Sequence, residues 1–410
     1  MNDPLREATL SRVISLPLLV LYGLGVTIGA GIYVLVGETA AQAGMYAPLS
    51  FIFAAIVMAF SAGTFAELSV RFPQSAGEAI YVKEGLRSEG LSLLTGGIVL
   101  LSATVAAATI TLGGTGYVLE LLDLPRALVI TSIVLVMGGI AAWGVKESVI
   151  FAAVFTVLEI LGLLVIIGAG FWAQPDLLSR LPEVIPPIGD TVALTAIFTT
   201  SLIAFFAFIG FDDVVNLVEE TKNPARTMPL AILIVLVVAT VLYFMVTAVA
   251  VLTLPLEELG ASQAPIGLLF ERLTGSSPLM ITLIAIVATL NGIVIQIVMA
   301  ARVLYGLGKK GSLPAVFARI HPKTHTPVIS TVLVTAVILG LALFFPIGTL
   351  AETTTQFILA VFTLVNLSLV VLKIRKVPAP EGAYTVGIWV PIGGVFACLL
   401  LLCGPWVLAT

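Results

Sequence analysis

VTIGAGIYVLVG, residues 26–37, decides how this chain is read. It lies in an apolar run from about Leu16 to Val36, with Gly23, Gly25, Gly29 and Gly31 in or just before it. Each glycine in a helix interior costs roughly 1 kcal/mol against alanine. Such a run marks either close packing of helices through small residues or a place where a membrane helix opens.

That the run crosses a membrane follows from composition. Of 410 residues, 59% are hydrophobic and only 10% charged. A soluble domain carries about 25% charged residues, so the chain cannot cover a normal water-exposed surface and reads as an all-α polytopic membrane protein. The first apolar run is too long for a signal-peptide core and lacks a small-residue cleavage site. Cys398 and Cys403 fall together in the last apolar segment, which supports neither a disulfide framework nor a zinc site. Gly23-x-Gly25 does not continue as a nucleotide loop, because the third glycine would fall on Ile28.

Stretches of about 20 apolar residues occur at roughly 15–37, 46–70, 92–121, 127–144, 149–172, 191–217, 229–254, 278–305, 327–345, 354–373 and 387–408. With the N-terminal segment 1–14 in the cytoplasm, sixteen of the nineteen Lys and Arg fall in inner loops; Arg126, Arg180 and Arg272 are the exceptions. The positive-inside rule therefore sets this orientation, and the plasma (inner) membrane is the expected location.

The sixth stretch is interrupted like the first: Gly210 is followed at once by Asp212 and Asp213. The fifth holds Glu159 with no charged residue within ten positions, and a carboxyl at that depth usually faces a cavity or a partner. Breaks five segments apart point to an inverted repeat, 15–172 and 191–373, with 387–408 as an additional span.

An unwound helix frees backbone groups, which is tolerated only where they line a cavity. N–H groups starting the half-helix near Gly29-Ala30-Gly31 suit a carboxylate. Carbonyls at the end of the first half-helix, near Thr27, and in the matching break at 206–210 suit a cation. Together they describe an α-amino acid zwitterion, although small anions or organic cations could use half of the same site.

IGAGIY (28–33), FFAFIGFDD (205–213) and EETKNPARTMPLAI (219–232) resemble the amino acid–polyamine–organocation transporter superfamily. The resemblance implies a leucine-transporter-like five-plus-five fold. It implies backbone donors to the substrate carboxylate at Gly29, Ala30 and Gly31, and carbonyls for its ammonium at Thr27, Phe206 and Ile209. Phe206 matches an aromatic lid, and Asp212 an acidic position just below the site. Glu219, Glu220, Asn223, Pro224 and Arg226 match the inner end of the sixth helix, where capping and an inner gate are the reading. Relatives commonly have twelve spans; eleven are found here.

Some members place a lysine in the fifth span at a sodium site, where this chain has Glu159. Desolvation disfavours the charged form of a carboxyl, so Glu159 is taken as a candidate proton carrier. A hydrogen-bonded tie between helices and a sodium ligand are the alternatives. The expected function is proton-coupled amino-acid symport by alternating access, with an ion-independent exchanger as the alternative.

An ion channel would need a continuous polar lining, and an enzyme a nucleophile–base or metal cluster; neither is found. No cofactor or nucleic acid is expected, and the partners are the amino acid, H+ rather than Na+, and the bilayer. The pocket is expected to be apolar, formed by Phe205, Phe206, Ile209 and small residues around 106–109. Asn291 and Gln296 could face the cavity or hydrogen-bond another helix, helix contact being the commoner case, and Glu67 with Arg71 is read as a pair near the inner end of the second span. His321 and His325 are assigned no chemistry.

Overall fold

A computed structural model describes residues 12–29, 31–74, 77–143, 149–309, 313–322, 324 and 326–408. Ala30, most of segment 1–14 and His325 lie outside the described residues.

The first half of the chain forms α1 (Leu16–Ile28), α2 (Gly31–Ala43), α3 (Ala47–Arg71), α4 (Gly77–Leu86), α5 (Glu89–Leu121), α6 (Arg126–Trp143), α7 (Val149–Ala173) and the short α8 (Leu177–Arg180). The second forms α9 (Thr191–Phe206), α10 (Pro224–Thr253), α11 (Leu256–Ala261), α12 (Pro265–Thr274), α13 (Leu279–Lys309), α14 (Val328–Phe344), α15 (Ile347–Ile374) and α16 (Trp389–Leu408). Every apolar stretch seen in the sequence is wholly or mostly helical. By length and composition, seven helical stretches could cross a bilayer, with Leu16–Arg71 counted as one; Thr191–Phe206, Val328–Phe344 and Trp389–Gly404 are shorter apolar helices. Periodicity had not shown α4, α11 and α12, which are short helices in connections.

Local chemistry sets the boundaries. Ser88 Oγ accepts from Leu91 N at 3.2 Å and opens α5; Asp190 Oδ1 accepts from Ala193 N at 2.9 Å and opens α9. These are side-chain caps on otherwise orphaned N–H groups. Asn223 takes a left-handed conformation (φ 48°) immediately before Pro224 at the start of α10, and its carbonyl accepts from Arg226 N and Thr227 N. Asn223 makes no side-chain cap bond to α10.

The glycines of the opening stretch divide between the two readings. A Cβ on Gly23 would lie 2.7 Å from Val214 and 2.8 Å from Val235, and one on Gly25 would lie 2.0 Å from Thr156 Oγ1. Those two glycines let α10 and α7 approach α1. Gly29 and Gly31 flank the interruption between α1 and α2.

The polar end of the bundle is held by a buried acid. Glu67, fully buried in α3, accepts from Arg71 Nε at 2.8 Å, from Lys373 Nζ at 2.9 Å and from Val386 N at 2.7 Å. The expected Glu67–Arg71 pair is therefore a three-way anchor joining α3, α15 and the segment leading to α16. Removing one partner of a buried ion pair strands the rest, at about 3–5 kcal/mol. Glu67→Ala is expected to lower the melting temperature of the detergent-purified protein by many degrees, and unchanged melting would show the anchor to be dispensable.

Candidate functional site

The two interruptions meet. After α9 ends at Phe206 the chain turns and continues as a 3-10 helix, Asp212–Glu220. Gly210, at the turn, has φ +122°, and a Cβ there would lie 2.7 Å from Val26 Cγ1 and 3.0 Å from the Val26 carbonyl oxygen. On the other side, a Cβ on Gly31 would lie 2.6 Å from Ala207 Cα. Backbone thus packs on backbone at both points, and only glycine fits such an approach.

Two further ties couple the broken helices. Tyr243, fully buried in α10, donates its hydroxyl to the carbonyls of Thr27 and Ala207, each at 2.8 Å. Nearer the basic loops, Ile14 N donates to Glu220 O at 3.0 Å and Lys222 N to Ile14 O at 2.9 Å. Tyr243 was missed in the sequence reading; its signal was the one tyrosine of a long, mostly apolar helix, where a buried Tyr O–H demands a partner.

The breaks, α5 and α13 enclose a narrow cavity of about 30 Å³, room for a water or two. Its lining includes Thr27, Gly29, Gly31, Ala106, Phe206 and Ile209, together with Asn291 and Gln296. The last two therefore face the cavity and not another helix, because α13 turns the 291/292/295/296 side toward the break, where no side chain fills the space. Phe205, also expected at the pocket, is not among the residues lining this cavity. It is fully buried away from the cavity and stacks edge-to-face with Phe362 at 6.2 Å between centroids. Adjacent helical residues point about 100° apart, so only one of the two phenylalanines reaches the lining.

The backbone groups are partly engaged. Gly29 N donates to Gly25 O at 3.1 Å and completes α1. The N–H groups of the first turn of α2, from Gly31 onward, have no intrahelical acceptor by construction. Thr27 O accepts from Tyr243 and Phe206 O from Ile209 N; each carbonyl keeps a second lone pair. Asp212 Oδ1 accepts from Gly210 N at 2.9 Å, so this acid holds the turn.

Glu159 lies beside the same break. Its helix α7 packs along α1, with Thr156 against Gly25 and Gly162 against the Tyr33 hydroxyl, where a Cβ would lie 2.7 Å away. Glu159 stands between them on that face and is 2% exposed. Tyr33 donates its hydroxyl to the Glu159 main-chain carbonyl at 2.7 Å, and Tyr117 donates to the Tyr33 carbonyl. Among the described residues, neither Glu159 carboxyl oxygen has a hydrogen-bonding partner, and neither does the Thr27 hydroxyl.

A second buried acid sits toward the basic loops. Glu78 of α4 is 6% exposed, and the preceding Gly77 packs on the 3-10 helix, its N–H reaching Asn216 Oδ1 at 3.4 Å. Burial, and then the charge of Asp212, push the Glu78 carboxyl up from 4.5 to about 8. Tyr81 on α4 and Asp213 beside Asp212 are the other buried titratable groups here; Arg375 of α15 is directed to the Gly85 carbonyl and Lys83 to exposed Glu89. A carboxyl raised in the fold contributes stability fully below its unfolded value and loses it as pH rises toward the folded one. Melting temperature is therefore expected to fall between about pH 4.5 and about pH 8, and Glu78→Gln to flatten that fall. Parallel pH profiles for the two proteins would rule this out.

Two interrupted apolar helices thus meet at a narrow cavity whose described lining is uncharged, in a multi-pass helical bundle. The chain belongs to the amino acid permease family, whose sequence profile matches residues 14–409. It is 31% identical over 397 residues to "Cationic amino acid transporter 2, vacuolar" of Arabidopsis thaliana, covering 91% of this chain and 61% of that protein. It is 30% identical over 404 residues to "Methylthioribose transporter" of Bacillus subtilis (strain 168), covering 93% and 85%. With "Branched-chain amino acid permease BcaP" of the same bacterium it shares 28% identity over 422 residues, 97% and 88%. The chain thus spans about three fifths of the length of the plant relative.

Proposed function

We propose that this chain is a secondary transporter that carries an amino acid by alternating access, with proton entry as the driving reaction. The observation that carries this reading is the meeting of the two breaks around one cavity, with Glu159 beside them. First-turn N–H groups of α2 at Gly31 face the substrate carboxylate. The carbonyls of Thr27, Phe206 and Ile209 face its ammonium, and Phe206 closes over it. A cavity of about 30 Å³ does not hold an amino acid without movement of its walls, as a closed stage of such a cycle requires.

Packing supports the inverted repeat. α2 lies on α9, α3 on α10, α5 on α13 and α6 on α14. Four of the five spans in 15–172 therefore contact the span five places later in 191–373, as elements near a pseudo-two-fold axis do. The orientation follows the basic loops, with the N-terminus cytoplasmic. The relatives' names cover cationic and branched-chain amino acids and a methylthio sugar, so they leave the side chain open. The test is uptake of a mixed set of labelled amino acids into proteoliposomes with and without an inward proton gradient. Gradient-dependent accumulation supports the proposal; uptake indifferent to the gradient but stimulated by internal amino acid would make the protein an exchanger.

A further inference from the structure

The wall of the cavity opposite the broken helices carries two carboxamides. α13 presents Asn291 and, about 7.5 Å nearer the basic loops at 1.5 Å per residue, Gln296; both line the cavity. Both are partly exposed, and no hydrogen bond to either side chain is found among the described residues. Gly292 and, on α5, Ala106 keep the wall open between and across from them. Among the described lining residues there is no charged side chain.

A substrate whose ammonium and carboxylate are held at the breaks directs its side chain toward this wall. Each carboxamide offers an acceptor oxygen and two N–H donors. An aliphatic side chain would cover these groups without pairing them, which weakens binding relative to a partner that pairs them. A cationic side chain would find acceptors but no counter-charge, and an unpaired charge is disfavoured wherever water is excluded. A neutral side chain with an amide or hydroxyl satisfies both conditions.

We propose that Asn291 and Gln296 form the side-chain subsite and select neutral amino acids with hydrogen-bonding side chains, glutamine being the type. This rests on the transporter reading above. The test is the initial uptake rate of labelled glutamine, serine, leucine and arginine into proteoliposomes holding wild type, Asn291→Leu, Gln296→Leu or Gln296→Glu, each checked for an unchanged melting temperature. Wild type is expected to prefer glutamine over leucine and arginine by tenfold or more. Either leucine variant is expected to lose about tenfold on glutamine while keeping or gaining leucine uptake. Gln296→Glu is expected to admit arginine, because it supplies the missing counter-charge.

Leucine or arginine taken up as well as glutamine by wild type, with unaltered ratios in the variants, overturns the subsite and leaves the transporter reading standing. Absence of uptake for every amino acid, with all proteins folded, overturns both.

Discussion

Glu159→Gln is expected to abolish proton-driven accumulation while leaving exchange of internal for external amino acid intact. The side chain is 2% exposed, and neither carboxyl oxygen has a partner among the described residues. Burying an unpaired charge costs several kcal/mol, which is the ground for proposing Glu159 as the proton site. It lies beside the break whose carbonyls are proposed to face the substrate ammonium, and that proposal would link its ionisation to substrate occupancy. For one proton per amino acid, a gradient of one pH unit supports at most about tenfold accumulation, since one unit is about 1.4 kcal/mol. In the variant the internal concentration should rise only to the external one. Glutamine keeps the shape and one polar oxygen, so the fold should survive, and exchange provides the control. Wild-type accumulation in the variant would make Glu159 a structural tie.

Gly210→Ala is expected to remove transport and lower stability together. The residue sits at φ +122°, where a side chain is strained by roughly 1–3 kcal/mol whatever its surroundings. The added methyl would also meet Val26 Cγ1 at 2.7 Å and its carbonyl oxygen at 3.0 Å. Relief requires the sixth segment to withdraw from the first, which opens the site. Gly31→Ala should behave alike, because its Cβ would meet the main chain of Ala207 at 2.6 Å. Gly168→Ala in α7 is the matched control: a Cβ there meets nothing within 4 Å. It should transport normally and melt no lower than wild type. Normal uptake by Gly210→Ala would show that the close approach of the breaks is not required.

The breaks were legible because glycines and acids have a definite meaning inside an apolar run. Gly29, Gly31 and Gly210 could not extend a lipid-facing helix without penalty, and Asp212 could not face lipid. What stayed hidden depended on three-dimensional phase. Phe205 and Phe206 are chemically identical in sequence, and only the 100° step between them decides which lines the cavity. The same phase turned Asn291 and Gln296 to the cavity and away from a neighbouring helix. Tyr243 escaped notice because its two acceptors, the Thr27 and Ala207 carbonyls, lie on other segments far away in the chain. The third partner of Glu67, Lys373, is 306 residues away, beyond any local pattern. Gly23 and Gly25 were ambiguous for the opposite reason, since packing and unwinding favour the same residue.

The central claim is that the paired breaks hold an amino acid by both its ammonium and its carboxylate. The direct measurement is displacement of the best labelled substrate from the purified protein by that amino acid, its methyl ester, its N-acetyl derivative and its decarboxylated amine. Displacement by the unlabelled amino acid alone, with the other three at least about a hundredfold weaker, is the expected result. Displacement by the ester or the amine at the same concentration as the amino acid would contradict it.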